Sequence, residues 1–154
     1  MKKMITTLSF LRKDDKILLA RKIKGFGTGK LNGVGGKVEP GESIIDGMIR
    51  ETEEEIRVTP VDYQYYGKVE FDEFIKGESV NLTFHVFVVT SWTGEIGKSE
   101  EMEPYWFDVD DIPYDEMFED DIYWLPIVLK GKKVDAYFRF DENWNIVEKK
   151  IEES

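Results

Sequence analysis

Cysteine is absent from this chain and histidine occurs once, as His85. That excludes disulfide scaffolds, thiolate nucleophiles and Cys/His zinc sites. Any bound metal must take oxygen ligands, which suits Mg2+ or Mn2+. Long apolar runs are missing too. No stretch approaches the roughly 20 residues of a bilayer-spanning helix, and Lys2 and Lys3 are not followed by a signal-peptide body. Basic residues are in the minority: 21 Lys and Arg stand against 32 Asp and Glu, a formal charge of -11. Such a balance argues against a nucleic-acid polymer as partner, which wants clustered cations. A small nucleotide remains open, because a bound divalent metal reverses the local field. Internal repeats, linkers and low-complexity segments do not stand out. The expectation is a soluble, cytoplasmic, single domain over residues 1–154, monomeric because no spare apolar stripe is left for a partner.

The apolar fraction of 41% is ordinary for a packed core. Residues 4–11 and 16–20 are apolar runs around a charged turn and read as a hairpin. Residues 24–41 hold seven glycines and read as a long structured loop. Ser43 with Asp46 fits a capping box that starts a helix. In it Ile45, Met48, Ile49, Thr52 and Ile56 form one stripe, and Pro60 closes the region. Residues 63–74 and 80–90 read as two strands about Lys76-Gly77-Glu78, the second of them central. A short strand over 103–107, a second helix over 119–129 and a closing hairpin over 132–140 and 145–150 complete the pattern. A mixed sheet between two helices follows, an α/β/α arrangement.

The helix after the glycine loop carries Glu51, Glu54 and Glu55, which are neighbours at i, i+3 and i+4. Like charges so placed destabilise a helix, so their clustering suggests bound cations. Mg2+ accepts hard oxygen ligands and keeps waters. Glu51 and Glu55 are the first choices as ligands. Glu54 either ligates or orients a metal-bound water. Arg50 is placed to hold Glu54 by a bidentate pair, with Glu42 holding Arg50 or a water. Lys37 is placed to touch phosphate oxygens. Water attacking a phosphoanhydride needs a carboxylate to take its proton. Glu54 is the main candidate.

Gly36, Glu42, Arg50, Glu51, Glu54, Glu55 and Val58 fall in the register of the Nudix box, and the chain resembles the Nudix hydrolases. Thr52 stands where the box has an apolar residue and Arg57 where it has glycine. Arginine in a left-handed helix exit is costly, so an altered exit with undisturbed carboxylates is predicted. Further landmarks are similar to the MutT-type branch that hydrolyses oxidised purine nucleoside triphosphates: Lys22, Gly25-Phe26-Gly27, Lys30 to Val38, Glu101-Met102, Trp106-Phe107, Asp120-Asp121, Tyr123-Trp124 and Tyr137-Phe138. The resemblance implies the Nudix fold, Mg2+ dependence, the Gly36 carbonyl as a further ligand, and hydrolysis of 8-oxo-dGTP or a like nucleotide to monophosphate and pyrophosphate. It implies that Asn32, Asp120 and Asp121 read the purine edge, and that Trp124 stacks on the base beside Thr7, Phe26 and Phe71. It also places Lys22 in the site, and it makes Glu101, from Glu100-Glu101-Met102, the second candidate to take the water's proton. Phe118 stands where that branch has tryptophan, and an extra residue between Glu70 and Phe74 leaves Phe71 and Phe74 as alternatives. Adjacent Asp120 and Asp121, if buried, should share a proton and offer one donor and one acceptor. Other nucleoside diphosphate derivatives, or a non-catalytic nucleotide sensor, are the alternatives.

Overall fold

A computed structural model describes residues 2–25 and 27–154. Its elements run β1 (Lys2–Lys13), β2 (Lys16–Lys22), β3 (Leu31–Asn32), α1 (Ile44–Ile56), β4 (Thr59–Ile75), β5 (Glu78–Thr93), β6 (Met102–Asp108), α2 (Asp121–Leu129), β7 (Val134–Phe140) and β8 (Ile146–Glu153). The strands join in the order β3-β2-β1-β5-β4-β7-β8, with β6 along the other edge of β2. Pairing is mixed: β1 with β5 and β4 with β7 are parallel, the rest antiparallel. The central place of β5 agrees with its run of β-branched and aromatic residues. Its hairpin with β4 closes through Lys76 (φ 53) and Gly77 (φ 78), two left-handed residues that match the strand twist.

Strand alternation divides the core in two. Leu8, Phe10, Ile17, Leu19, Val69, Phe71, Val86 and Val88 face α2 with Trp124, Leu125 and Val128. Leu11, Leu18, Ala20, Phe87 and Val89 face α1 with Met48 and Ile56. Each fully buried Leu, Ile or Phe contributes about 1.5–3 kcal/mol of transfer free energy, so both helices are held by packing as well as by propensity.

Ser43 caps α1 by accepting the Asp46 N–H at 3.0 Å, worth about 1 kcal/mol. The buried face of α1 is Gly47, Met48, Thr52, Glu55 and Ile56. Ile45, expected in the stripe, is 44% exposed, because the helix leans its Met48–Ile56 line on the sheet. Thr52 is fully buried and returns its hydroxyl to the Met48 carbonyl at 2.8 Å. The helix ends at Arg57 rather than Pro60, which lies in β4. Arg57 itself takes the left-handed conformation, φ 68 and ψ 22. No helix among the described residues is long and apolar enough to cross a membrane.

Candidate active site

The glycine loop threads between β1 and α1. Thr7 N–H donates to Gly36 O at 2.9 Å, Ser9 and Val34 exchange backbone bonds, and Val38 N–H donates to Ile5 O at 2.9 Å. A Cβ at Gly35 would strike the Thr7 carbonyl, and one at Gly36 would strike the Glu51 carboxylate. Glycine is required at both because backbone and side chain approach so closely. Gly35 N–H donates to Glu55 Oε1 at 2.7 Å. The loop, the strand and the helix are thus fixed around one carboxylate.

Arg50 organises the outer half of this site. Its Nε and Nη2 grip Glu42 at 2.8 and 3.0 Å, so the planar fork belongs to Glu42, while the expected hold on Glu54 runs from Nη1 alone to both carboxylate oxygens at 3.3 and 3.2 Å. The register explains it: the Glu42 side chain folds back from the loop, and Glu54 lies one turn along the helix. Nη1 reaches Glu51 at 2.9 Å and Glu54 at 3.2 Å, and Nη2 also binds the Lys37 carbonyl at 3.0 Å. The guanidinium beside Glu42, helped by the Glu39 N–H, lowers that carboxyl to about 2. Arg50→Lys keeps the charge but loses the planar fork. We expect kcat to fall roughly tenfold with an unchanged circular-dichroism spectrum; a wild-type kcat would show that the fork does not serve turnover.

Glu51 and Glu55 point inward, and the Glu54 side chain is 57% exposed. Burial raises the Glu55 carboxyl to about 7, against the Gly35 N–H, with repulsion from Glu51 and Glu101 and attraction from Lys22. Burial also raises Glu51, opposed by Arg50 and reinforced by Glu54 and Glu101. Glu51, Glu55 and Glu101 are therefore mutually repelling groups. Among the described residues no three acidic, His or Cys side chains already stand in metal-holding geometry. Glu51 and Glu54 are turned to Arg50 instead. The donor set still fits a hard divalent cation: every group is an oxygen, and buried Glu55 has no salt-bridge partner among the described residues.

Beyond the sheet lies a second set. Asp120 and Asp121 open α2 and are buried. Asp120 Oδ2 accepts the Trp124 Nε1–H at 2.8 Å, and Asp121 Oδ2 accepts the Phe118 N–H at 3.1 Å. Burial raises Asp120 to about 6, opposed by the Trp124 bond. Burial, then Asp120, raise Asp121 well above the carboxylate range. The expected shift is present and falls on both groups.

The other expected residues are distributed unequally. Phe118 is half-buried and its ring lies over Gly27. Trp124 is 1% exposed and packs on Phe10 at 6.1 Å, so its face is closed within the core. Asn32 Oδ1 accepts the adjacent Gly33 N–H at 2.8 Å, serving its own turn. Phe71 points inward, stacked 5.7 Å from Phe138, whereas Phe74 is exposed. The Thr7 side chain lies on the α1 face, opposite Leu8 and Phe10, because alternation along β1 puts it there. Lys37 and Glu101 are exposed and Lys22 half-buried. Phe26 lies outside the described residues. Glu73 was not anticipated. It shares the inward face of Val69 and Phe71, and burial and Asp120 raise its carboxyl to about 7. Plain alternation from Val69 through Phe71 was the signal that could have found it. A surface depression elsewhere, lined by Asp62, Tyr63, Gln64, Tyr66, Val88 and Thr90, contains none of these groups.

Comparison with known proteins agrees with this arrangement. A NUDIX domain model matches residues 2–126. An oxidized purine nucleoside triphosphate hydrolase of Danio rerio is 41% identical over 149 residues, 97% of this chain and 94% of that protein. Its Mus musculus counterpart is 37% identical over 147 residues, 96% of this chain and 93% of that protein. The mMutator MutT protein from Bacillus halodurans shares the fold, with a TM-score of 0.84 at 24% identity over 97% of each chain. The box carboxylates sit on a helix pressed against a glycine loop, in a chain matched from its second residue into α2, and this protein belongs to the Nudix hydrolases.

Proposed function

We propose that this hydrolase is an oxidised-purine nucleoside triphosphate diphosphatase that removes such nucleotides, 8-oxo-dGTP among them, from the precursor pool. The observation that carries the reading is the buried Asp120–Asp121 pair, both carboxyls raised, at the start of α2. One shared proton gives the pair a donor and an acceptor, which matches the mixed hydrogen-bonding edge of an oxidised purine. The names of the Danio rerio and Mus musculus relatives support the same substrate class.

The α1 carboxylates Glu51, Glu54 and Glu55 with the Gly36 carbonyl would hold Mg2+, or Mn2+ by the same ligand chemistry. When bound, the metal supplies neutralisation of developing phosphoryl charge and a more acidic water. Glu54, whose side chain is open to solvent, takes the proton of the attacking water; Glu101 is the alternative group. Lys22, whose charge acts on Glu55, and exposed Lys37 would meet phosphate oxygens. Arg50 keeps Glu51 and Glu54 in place. Phe118 covers the base. Water attacks the β-phosphorus, the α–β anhydride breaks, and the monophosphate leaves while the water oxygen stays in pyrophosphate.

Turnover in 18O-labelled water tests this. The expected products from 8-oxo-dGTP are unlabelled monophosphate and labelled pyrophosphate. Nucleoside diphosphate with orthophosphate would contradict the reaction.

Glu73 favours a second reading, in which the same chemistry serves another nucleoside diphosphate derivative. It adds a third carboxyl to the base side. Because its carboxyl ionises near 7, Glu73→Gln should lower KM for an anionic nucleotide about threefold at pH 8 and leave it unchanged at pH 5.5. An unchanged KM at both values would place Glu73 outside the pocket.

A further inference from the structure

Arg57 replaces the glycine of the box and holds a conformation that glycine adopts without strain. Its φ is 68 and its ψ 22, a state that strains the backbone of a non-glycine residue. Its backbone N–H closes the helix on Glu53 O at 3.0 Å, which glycine would do equally well. What the arginine adds lies in the side chain. Its Nε donates to the Lys98 carbonyl at 2.9 Å, 41 positions away in sequence. Its Cδ lies 3.2 Å from where a Cβ on Gly97 would stand, and Gly97 N–H donates to the Ile56 carbonyl at 3.0 Å. The loop is thus fastened to the end of α1.

That loop leads directly to Glu101. Ser99 Oγ accepts the N–H groups of Glu101 and Met102 at 3.3 and 3.2 Å. Ser99 N–H donates to Met102 O at 2.9 Å, and Ile23 N–H donates to Glu101 O at 2.8 Å. Residues 97–102 therefore form one braced turn, attached to β2 on one side and to Arg57 on the other. Glu101 lies near enough for its charge to act on both Glu51 and Glu55. A helix cap alone needs only the backbone N–H. The reach to Lys98 is a link between the carboxylate helix and the opposite carboxylate.

We propose that Arg57 is a positioning residue, which ties the 97–102 turn to the α1 exit and so holds Glu101 against the α1 carboxylates. The proposal rests on the hydrolase reading above and on Glu101 belonging to the reacting site.

The test compares wild type, Arg57→Gly, Glu101→Gln and the double variant. Glycine relieves the left-handed backbone, so Arg57→Gly should melt no lower than wild type. Its kcat should nevertheless fall roughly tenfold, in the range of supporting contacts at a metal site, with KM within about twofold. In the Glu101→Gln background the same change should have no further effect on kcat. Amide exchange at Glu101 and Met102 should be faster in Arg57→Gly without any substrate. An unchanged kcat, or an equal fall in both backgrounds, would overturn the proposal. Unchanged amide exchange would overturn it even if wild type proved inactive on every nucleotide, an outcome that would separately remove the hydrolase reading.

Discussion

Replacing Glu55 with glutamine is expected to lower kcat by about two to three orders of magnitude while making the metal-free fold more stable at neutral pH. Glu55 is 5% exposed, and its partner is the Gly35 N–H, which a glutamine carbonyl can also accept from. Its carboxyl is raised from 4.5 to about 7, chiefly by burial. The folded protein therefore keeps a proton that the unfolded chain has released. Stability of the wild type falls as pH rises from about 4.5 through about 7, and levels above that. Glutamine has no charge to bury, so its advantage is absent at pH 4 and full at pH 8. Thermal melts in chelator at both values check the sign. A variant less stable at pH 8, or one with wild-type turnover, would contradict the role given to Glu55.

On the base side, Asp120→Asn is expected to reduce kcat/KM for an oxidised purine about a hundredfold, from mispaired buried polar groups, with the Mg2+ dependence unchanged. Asparagine can turn its carbonyl to the Trp124 Nε1–H, now bonded to Asp120 Oδ2 at 2.8 Å. Its amide then becomes a permanent donor where the acid pair shares one proton. For wild type, kcat/KM on the oxidised base should decline at alkaline pH as the pair loses that proton, the loss being postponed by burial and mutual repulsion. In the variant Asp121 is still raised by burial but loses the Asp120 repulsion, so the decline should begin at lower pH. Equal losses in Mg2+ activation and in base preference would refute the assignment.

The reacting helix was legible because its information is local. Box spacing on a 3.6-residue period determines which carboxylates share a face, and the Ser43 cap and Gly36 approach follow from single residues. The hairpins were legible through alternation and turn residues. What escaped depended on register and packing. The grip of Arg50 on Glu42 requires knowing that the loop folds back on the helix. Thr7 and Trp124 could be matched to a family position, but only strand parity shows Thr7 facing α1, and only packing shows Trp124 closed against Phe10. Glu73 was missed although alternation is unbroken from Val69 through Phe71 to Glu73, because parity alone does not show that a carboxylate at an inward position lies near Asp120. An altered exit was expected at Arg57, yet the residue keeps the left-handed conformation, and the reach of its side chain to Lys98 was not foreseen.

The most direct measurement is kcat/KM with Mg2+ on 8-oxo-dGTP beside dGTP, 2-hydroxy-dATP and ADP-ribose, with products identified. A preference for the oxidised purines of at least about tenfold, with pyrophosphate released, is the predicted result. A flat profile, or a preference for ADP-ribose, would contradict the base-reading role of Asp120 and Asp121 and leave the Nudix chemistry of α1 in place.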